Sequence, residues 1–447
     1  MSRHTDSVRL KLARGPLPGR QLFESMGISQ PTGSRALKAL GSEIIRIDAA
    51  RPIQYALRDP ARALPDIAVH RVDTEGRVRT LGTLIPVRPE GFVMHQENGV
   101  SAHFDGLPWW LFDMRPQGYL GRAYAARHGS ALGLPSSLSE WSDTHALRAL
   151  LAHGEDAVGN LLLGELARDR FLSAALPEPI SHTERGPRYA RLALEAARGE
   201  TPGSSAGGEQ PKFSCYAETP QGPRHLIVKF SEAHGGAVSE RWRDLLLAEH
   251  LALENLRAHG VEAAVSRILD HGTQRFLEVE RFDRVGEIGR RALLSLAAFD
   301  LEFVGMAPAG WPRIARRLVE LRQIRAEAAD GAELLWAFGT LIGNTDMHPG
   351  NLSFVSDHGR PYELAPAYDM SPMCFAPRSG GSLPDKMQDV RISAEIRNET
   401  WQGAAQLAQA FQRRVETETR FSARFAPCIE ALSRHLAAAG ERIGRLL

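Results

Sequence analysis

Two acidic residues and one amide stand at spacings that suit phosphoryl transfer. The segment Gly343-Asn344-Thr345-Asp346-Met347-His348-Pro349-Gly350-Asn351 places Asp346 and Asn351 five apart, and Asp369 follows eighteen residues later. In such an order the first carboxylate can take the proton of an attacking hydroxyl. The amide and the second carboxylate are oxygen ligands for Mg²⁺ between phosphates. His348 can orient the loop or touch a phosphate. Taken singly, Asp346 reads as a helix cap and Asn351 as a turn residue. Their joint spacing with Asp369 favours the catalytic reading.

The Asp-x4-Asn spacing equals that of the protein-kinase catalytic loop, although the His-Arg before the Asp and the Phe-Gly after Asp369 are missing. Three further segments fit. Lys229, in Val228-Lys229-Phe230, is costly inside an apolar strand unless paired. A kinase uses such a Lys on the α/β-phosphates and braces it with a Glu of the next helix, here Glu240 or Glu249. The loop Gly203 to Lys212 carries Ser204, Ser205, Gly207, Gly208 and Lys212, and its small residues let backbone N–H groups approach phosphate. It also matches the Gly-x-Ser-x-Gly elbow of hydrolases, but it lacks the strand before and the helix after that the elbow needs. Glu280 and Phe282 are placed to offer backbone groups to adenine at a lobe junction.

These groups need elements to hold them. Lys212 to Tyr216, His225 to Phe230 and Phe276 to Phe282 read as strands, and Trp242 to His259 as a long helix. Ala337 to Ile342 is an apolar helix that Gly343 stops, which presents Asp346 at an element end. Upstream, Ile67 to Val69, Thr80 to Val87 and Phe92 to Met94 read as strands. Asp143 to His153, Asn160 to Arg168 and Tyr189 to Gly199 read as helices. The pattern predicts an α+β, two-lobed kinase fold, with a β-rich lobe over 66–283 and a helical lobe over 284–447.

Residues 1–60 read as a separate winged helix-turn-helix. A helix from Arg20 to Met26 precedes Gly27, Ser29 can cap a second helix with Pro31 in its first turn, and that helix runs Thr32 to Leu40. Ile44 to Ile47 and Ile53 to Leu57 then form a hairpin. Gln30, Thr32, Ser34, Arg35 and Lys38 would face the groove and phosphates of double-stranded DNA. Ten Arg or Lys stand against five Asp or Glu in this stretch, about +5 in a chain whose net charge is only +1. A protein-interaction winged helix is the other reading of the same segment.

A chain of 447 residues is too long for one core, so two or three domains are expected. The near-neutral charge predicts no strongly acidic or basic partner for the molecule as a whole. Cys215, Cys374 and Cys428 form no metal or disulfide pattern, which suits a reducing cytosol. No apolar run reaches membrane length, and residues 1–15 lack the apolar core of a signal peptide. A soluble cytoplasmic protein without membrane contact is expected.

Taken together, Ser204 to Lys212, Lys229, Glu280 to Arg284, Gly343 to Asn351 and Leu364 to Asp369 resemble the HipA family of bacterial toxin serine/threonine kinases. Gly154 to Gly159 resembles a further segment of that family, and the likeness covers roughly residues 65–430. The resemblance implies a fold related to phosphatidylinositol kinases and the use of ATP and Mg²⁺. It implies Asp346 as base, Asn351 and Asp369 as metal ligands, and Ser204 as the autophosphorylated position, with Ser205 its neighbour. It implies a protein substrate, with translation components such as aminoacyl-tRNA synthetases to be tried first. Such kinases usually act with a separate helix-turn-helix antitoxin, so the N-terminal module resembles the branch that carries one in cis. The alternative is a transcription regulator whose kinase-like body senses nucleotide without catalysis.

Overall fold

Phe23 and Gly33 set the geometry of the first sixty residues. A Cβ on Gly33 would lie 2.2 Å from the Phe23 ring, so only glycine lets the helices Gly19–Glu24 and Gln30–Leu40 cross this closely. The computed structural model describes residues 3–48, 52–198, 210–306 and 309–445. A helix not expected from the sequence, Arg3–Leu12, closes this core with Val8 and Leu12 against Leu22, Leu37 and Leu40. Its mostly polar residues hid it. A small sheet follows, with Gln54–Leu57 between Leu17–Pro18 and Ile44–Ile47. Ser29 takes the cap position in extended geometry, but its hydroxyl meets Thr32 Oγ1 at 3.0 Å rather than a backbone N–H.

The next unit is a five-stranded antiparallel sheet. Its order is Ser101–Phe104, Gly91–Gln96, Val78–Val87, Ile67–Val72, Leu161–Leu163. Alternation along each strand supplies two apolar faces. Leu84, Phe92 and Met94 pack with Leu147 and Leu150 of the helix Asp143–His153. Ile85, Val87 and Val93 turn the other way and pack against Ile45 and Ile47 of the first unit. The expected helix from Asn160 to Arg168 is corrected here. Leu161–Leu163 is an edge strand paired with Val69, His70 and Arg71, and the helix is Gly164–Ser173. Three consecutive leucines fit either state, and the open sheet edge decides.

A four-stranded antiparallel sheet carries the next part, ordered Ser266–His271, Gln274–Glu280, Arg224–Phe230, Lys212–Ala217. The helix Ala237–Ala258 lies in the chain between Arg224–Phe230 and Ser266–His271 and packs on the sheet. Beyond lie a small sheet of Ala292–Ser295, Ser353–Ser356 and Glu363–Leu364, and the helices Trp311–Glu320, Ala326–Ile342, Asn398–Thr417 and Ala426–Gly444. Phe338, Trp401 and Phe411, each fully buried, join these helices into the largest core of the chain. No helix among the described residues is long and apolar enough to cross a membrane.

Candidate active site

Lys229 is the penultimate residue of the strand Arg224–Phe230, with Lys212 directly opposite it on one side and Leu277 on the other. Leu226, Val228 and Phe230 enter an apolar core with Phe213 and Phe276, so alternation turns Lys229 to the opposite face. Lys229 is only 5% exposed, and its ammonium requires anions. Nζ contacts both carboxylate oxygens of Glu249, at 2.7 and 2.8 Å, and also the Asp369 carboxylate. This resolves the choice of brace. Glu249 lies on the buried face of Ala237–Ala258, whereas Glu240 is in its first turn, 3.7 Å from Arg424. Burial disfavours the Lys229 charge, yet Asp369 and Glu249 outweigh it and raise the pKa. Burial raises Glu249, opposed by Lys229. Burial acts the same way on Asp369, but the charges of Lys229 and Lys212 hold it below the usual carboxylate range.

The loop bearing Asp346 begins where Ala326–Ile342 stops at Gly343, whose φ of +76° is left-handed. The next residue, Asn344, was missed in the sequence. It is buried and holds two loops. Its Oδ1 accepts the Asp346 N–H at 3.1 Å, and its Nδ2 donates to the Asp369 carbonyl at 3.1 Å. Asn351 Nδ2 donates to the Asp346 carbonyl at 2.7 Å, which closes the five-residue turn. His348 accepts the Gly350 N–H on Nδ1 at 3.0 Å, and Trp311 donates its indole N–H to the His348 carbonyl. Tyr368 donates to the Gly350 carbonyl at 2.9 Å and meets the Ser353 hydroxyl at 2.6 Å. Asp369 itself has φ of +53°, a conformation that side chains other than glycine adopt reluctantly.

Asp346 is solvent-accessible, but partial burial pushes its carboxyl above the ordinary range; His348 opposes this and Asp369 adds to it. Two carboxylates that repel across a short gap, beside the Asn351 amide, form a donor set of hard oxygens. Among the described residues no three His, Cys, Asp or Glu side chains converge. A cation held here would therefore keep positions for phosphate oxygens and water, as Mg²⁺ sites do.

Lys212, Lys229, Asn351, Tyr368 and Asp369 line one cleft together with Val279, Phe282 and Ile227. At its back edge the Glu280 N–H is spent on the Val265 carbonyl, and the Glu280 carboxylate pairs with Arg267 at 3.0 Å. The Phe282 N–H makes no hydrogen bond among the described residues and remains the group able to meet a base there. The sequence reading also missed the roof. Phe112, Asp113 and Val158 come from the five-stranded unit, and Asp113 accepts both the N–H and the hydroxyl of Ser295, at 2.6 and 2.7 Å. Arg281 and Arg284 clamp Asp156 and Asp283, and Asp283 accepts the Gly159 N–H at 3.0 Å. This network locks Gly154 to Gly159 onto the strand end that precedes the helical part.

Ser204, Ser205, Gly207 and Gly208 lie outside the described residues. In the first unit Gln30, Ser34, Arg35 and Lys38 are exposed and Thr32 is half-buried, while Gly33, Ala36, Leu37 and Leu40 face inward.

The chain resembles known proteins over nearly its whole length. Residues 64–172 match the YjjJ-like toxin middle domain, and residues 204–436 match the HipA-like C-terminal domain. The chain is 39% identical to Toxin YjjJ of Escherichia coli (strain K12) over 437 residues, which is 97% of this chain and 98% of the relative. It shares a fold, at a TM-score of 0.50 and 18% identity, with HipA from a complex of HipA, HipB and operator DNA of Shewanella oneidensis MR-1, over 84% of this chain and 97% of that one. The chain belongs to the HipA family of toxins, beside YjjJ.

Proposed function

We propose that the chain is an ATP-dependent protein serine/threonine kinase of the HipA toxin type. The observation that carries the proposal is the convergence of Lys229, braced by Glu249, with Asn351 and Asp369 in one cleft, and of Asp346 with Lys229 and Asp369 in the small pocket beside it. In this reading Lys229 and Lys212 hold the phosphates of ATP, and the Phe282 N–H meets the base. Asn351 and Asp369 hold Mg²⁺, which when bound neutralises charge on the phosphate oxygens. Asp346 aligns the acceptor hydroxyl and receives its proton as the oxygen attacks the γ-phosphorus, and its raised pKa suits a group that must take up a proton. Asn344 and His348 position the loop without touching substrate.

The kinase lobes are assigned to 66–283 and 284–447. Residues 1–60 are read as a winged helix-turn-helix that binds double-stranded DNA in cis through Gln30, Thr32, Ser34, Arg35 and Lys38, supported by their placement on the outer face of Gln30–Leu40. Ser204 is proposed as the site of self-phosphorylation. Arg284 is held at 2.7 Å by Asp283 and is unavailable to pair with such a phosphate. An aminoacyl-tRNA synthetase is the first protein substrate to test. The direct test is calorimetry of ATP with and without Mg²⁺ on the protein and on Asp369→Ala. The reading expects Mg²⁺ to strengthen ATP binding and Asp369→Ala to remove most of that gain. An unchanged Mg²⁺ dependence removes Asp369 from the metal site.

A further inference from the structure

A second cavity, larger than the cleft, adjoins it. It encloses about 730 Å³ between the five-stranded sheet and the strands Ala292–Ser295 and Ser353–Ser356. That volume suits a small-molecule ligand. Lys229, Asp346, Asn351 and Asp369 do not line it; Val158 and Leu293 line both spaces and form the wall between them.

Its surface combines aromatic rings with an excess of donors. Trp110 and Phe104 meet edge to face at 6.2 Å, and the Trp110 indole N–H has no acceptor among the described residues. Arg71 and Arg79 stand directly opposite each other on adjacent strands, and both line the cavity. Like charges so placed are unfavourable. Among the described residues neither guanidinium makes a hydrogen bond or an ion pair. Asn160 lines the same space, is only 6% exposed, and its carboxamide also has no hydrogen-bond partner among the described residues. Two carboxylates complete the lining. Asp357 is held by Arg291 at 2.6 Å, and Glu97 is exposed.

We propose that this cavity binds a flat aromatic anion, with the ring against Trp110 and the anionic group between Arg71 and Arg79. An anion there relieves the repulsion of the two arginines and uses their planar forks. The Asn160 amide and the indole N–H supply the remaining donors. A nucleoside monophosphate and an aromatic carboxylate share this chemistry, so both are tested. The proposal stands on its own residues and does not depend on the kinase reading.

The experiment is calorimetry of the full-length protein with guanosine 5′-monophosphate and with anthranilate, beside guanosine and aniline as uncharged counterparts. At least one anion is expected to bind, its counterpart at least about tenfold more weakly. Arg79→Glu, at an exposed position, and separately Arg71→Gln are each expected to weaken that binding by at least about tenfold. Which anion binds distinguishes the two sources. The proposal is overturned if neither anion binds, or if binding persists undiminished in both variants, which would place the probe elsewhere.

Discussion

Asn344 donates its Nδ2–H to the Asp369 carbonyl at 3.1 Å, and this bond ties the loop of Asp369 to the loop of Asp346. The same side chain accepts the Asp346 N–H, so one buried amide fixes the spacing of two carboxylates from separate loops. Asn344→Ala leaves two backbone groups short of a partner. It is expected to lower stability by about 1–3 kcal/mol and kcat for phosphoryl transfer by about a hundredfold. Urea melts and a kinase assay check this. A variant with wild-type kcat would remove Asn344 from any positioning role.

Lys229→Met removes the cation between Glu249 and Asp369. A buried carboxylate left without its partner costs about 3–5 kcal/mol. Glu249 is already raised by burial, and loss of Lys229 raises it further. A carboxyl raised in the folded state binds more protons folded than unfolded, so stability falls as pH rises through and above the ordinary carboxylate range. The deficit of the variant relative to the native protein is therefore expected to be larger at pH 8 than at pH 5 in urea melts. An equal deficit at both values would show that Lys229 does not compensate Glu249.

Most of the cleft was legible because its key residues lie in short, regular segments. Lys229 stood out as a charge in an apolar strand, and the Asp346–Asn351 spacing survives as one hydrogen-bonded turn. Asn344 escaped notice because an Asn after a helix-stopping Gly is an ordinary turn residue. Its two bonds depend on Asp369, 25 positions away. The roof residues Phe112 and Asp113 carried no local signal, since their place over the cleft follows from packing between units. Glu280 stands on the expected strand, and pairing with neighbouring elements takes up its N–H and its carboxylate. The helix Arg3–Leu12 was hidden by polarity, and Leu161–Leu163 by the ambiguity of a short apolar run.

Arg35→Ala with Lys38→Ala tests the proposed DNA contact of the first unit. Both residues are exposed on Gln30–Leu40, so the fold should be unaffected. If each meets a phosphate, the double variant weakens binding to duplex DNA and flattens the salt dependence by roughly two units of slope. Fluorescence anisotropy of the full chain across a salt series reads both. Native protein with no salt-dependent DNA binding at low ionic strength would make the unit an interaction module instead.

In the proposed reaction Asp346 drives transfer of the γ-phosphate of ATP to a protein hydroxyl. Incubation of the purified protein with [γ-³²P]ATP, Mg²⁺ and cell lysate, beside Asp346→Asn, tests it most directly. The native protein is expected to label at least one protein, itself included. Asp346→Asn is expected to lose nearly all labelling, at least about a hundredfold, while still binding ATP by calorimetry. No labelled protein with the native chain would rule out the kinase, and labelling that persists in Asp346→Asn would rule out Asp346 as its base.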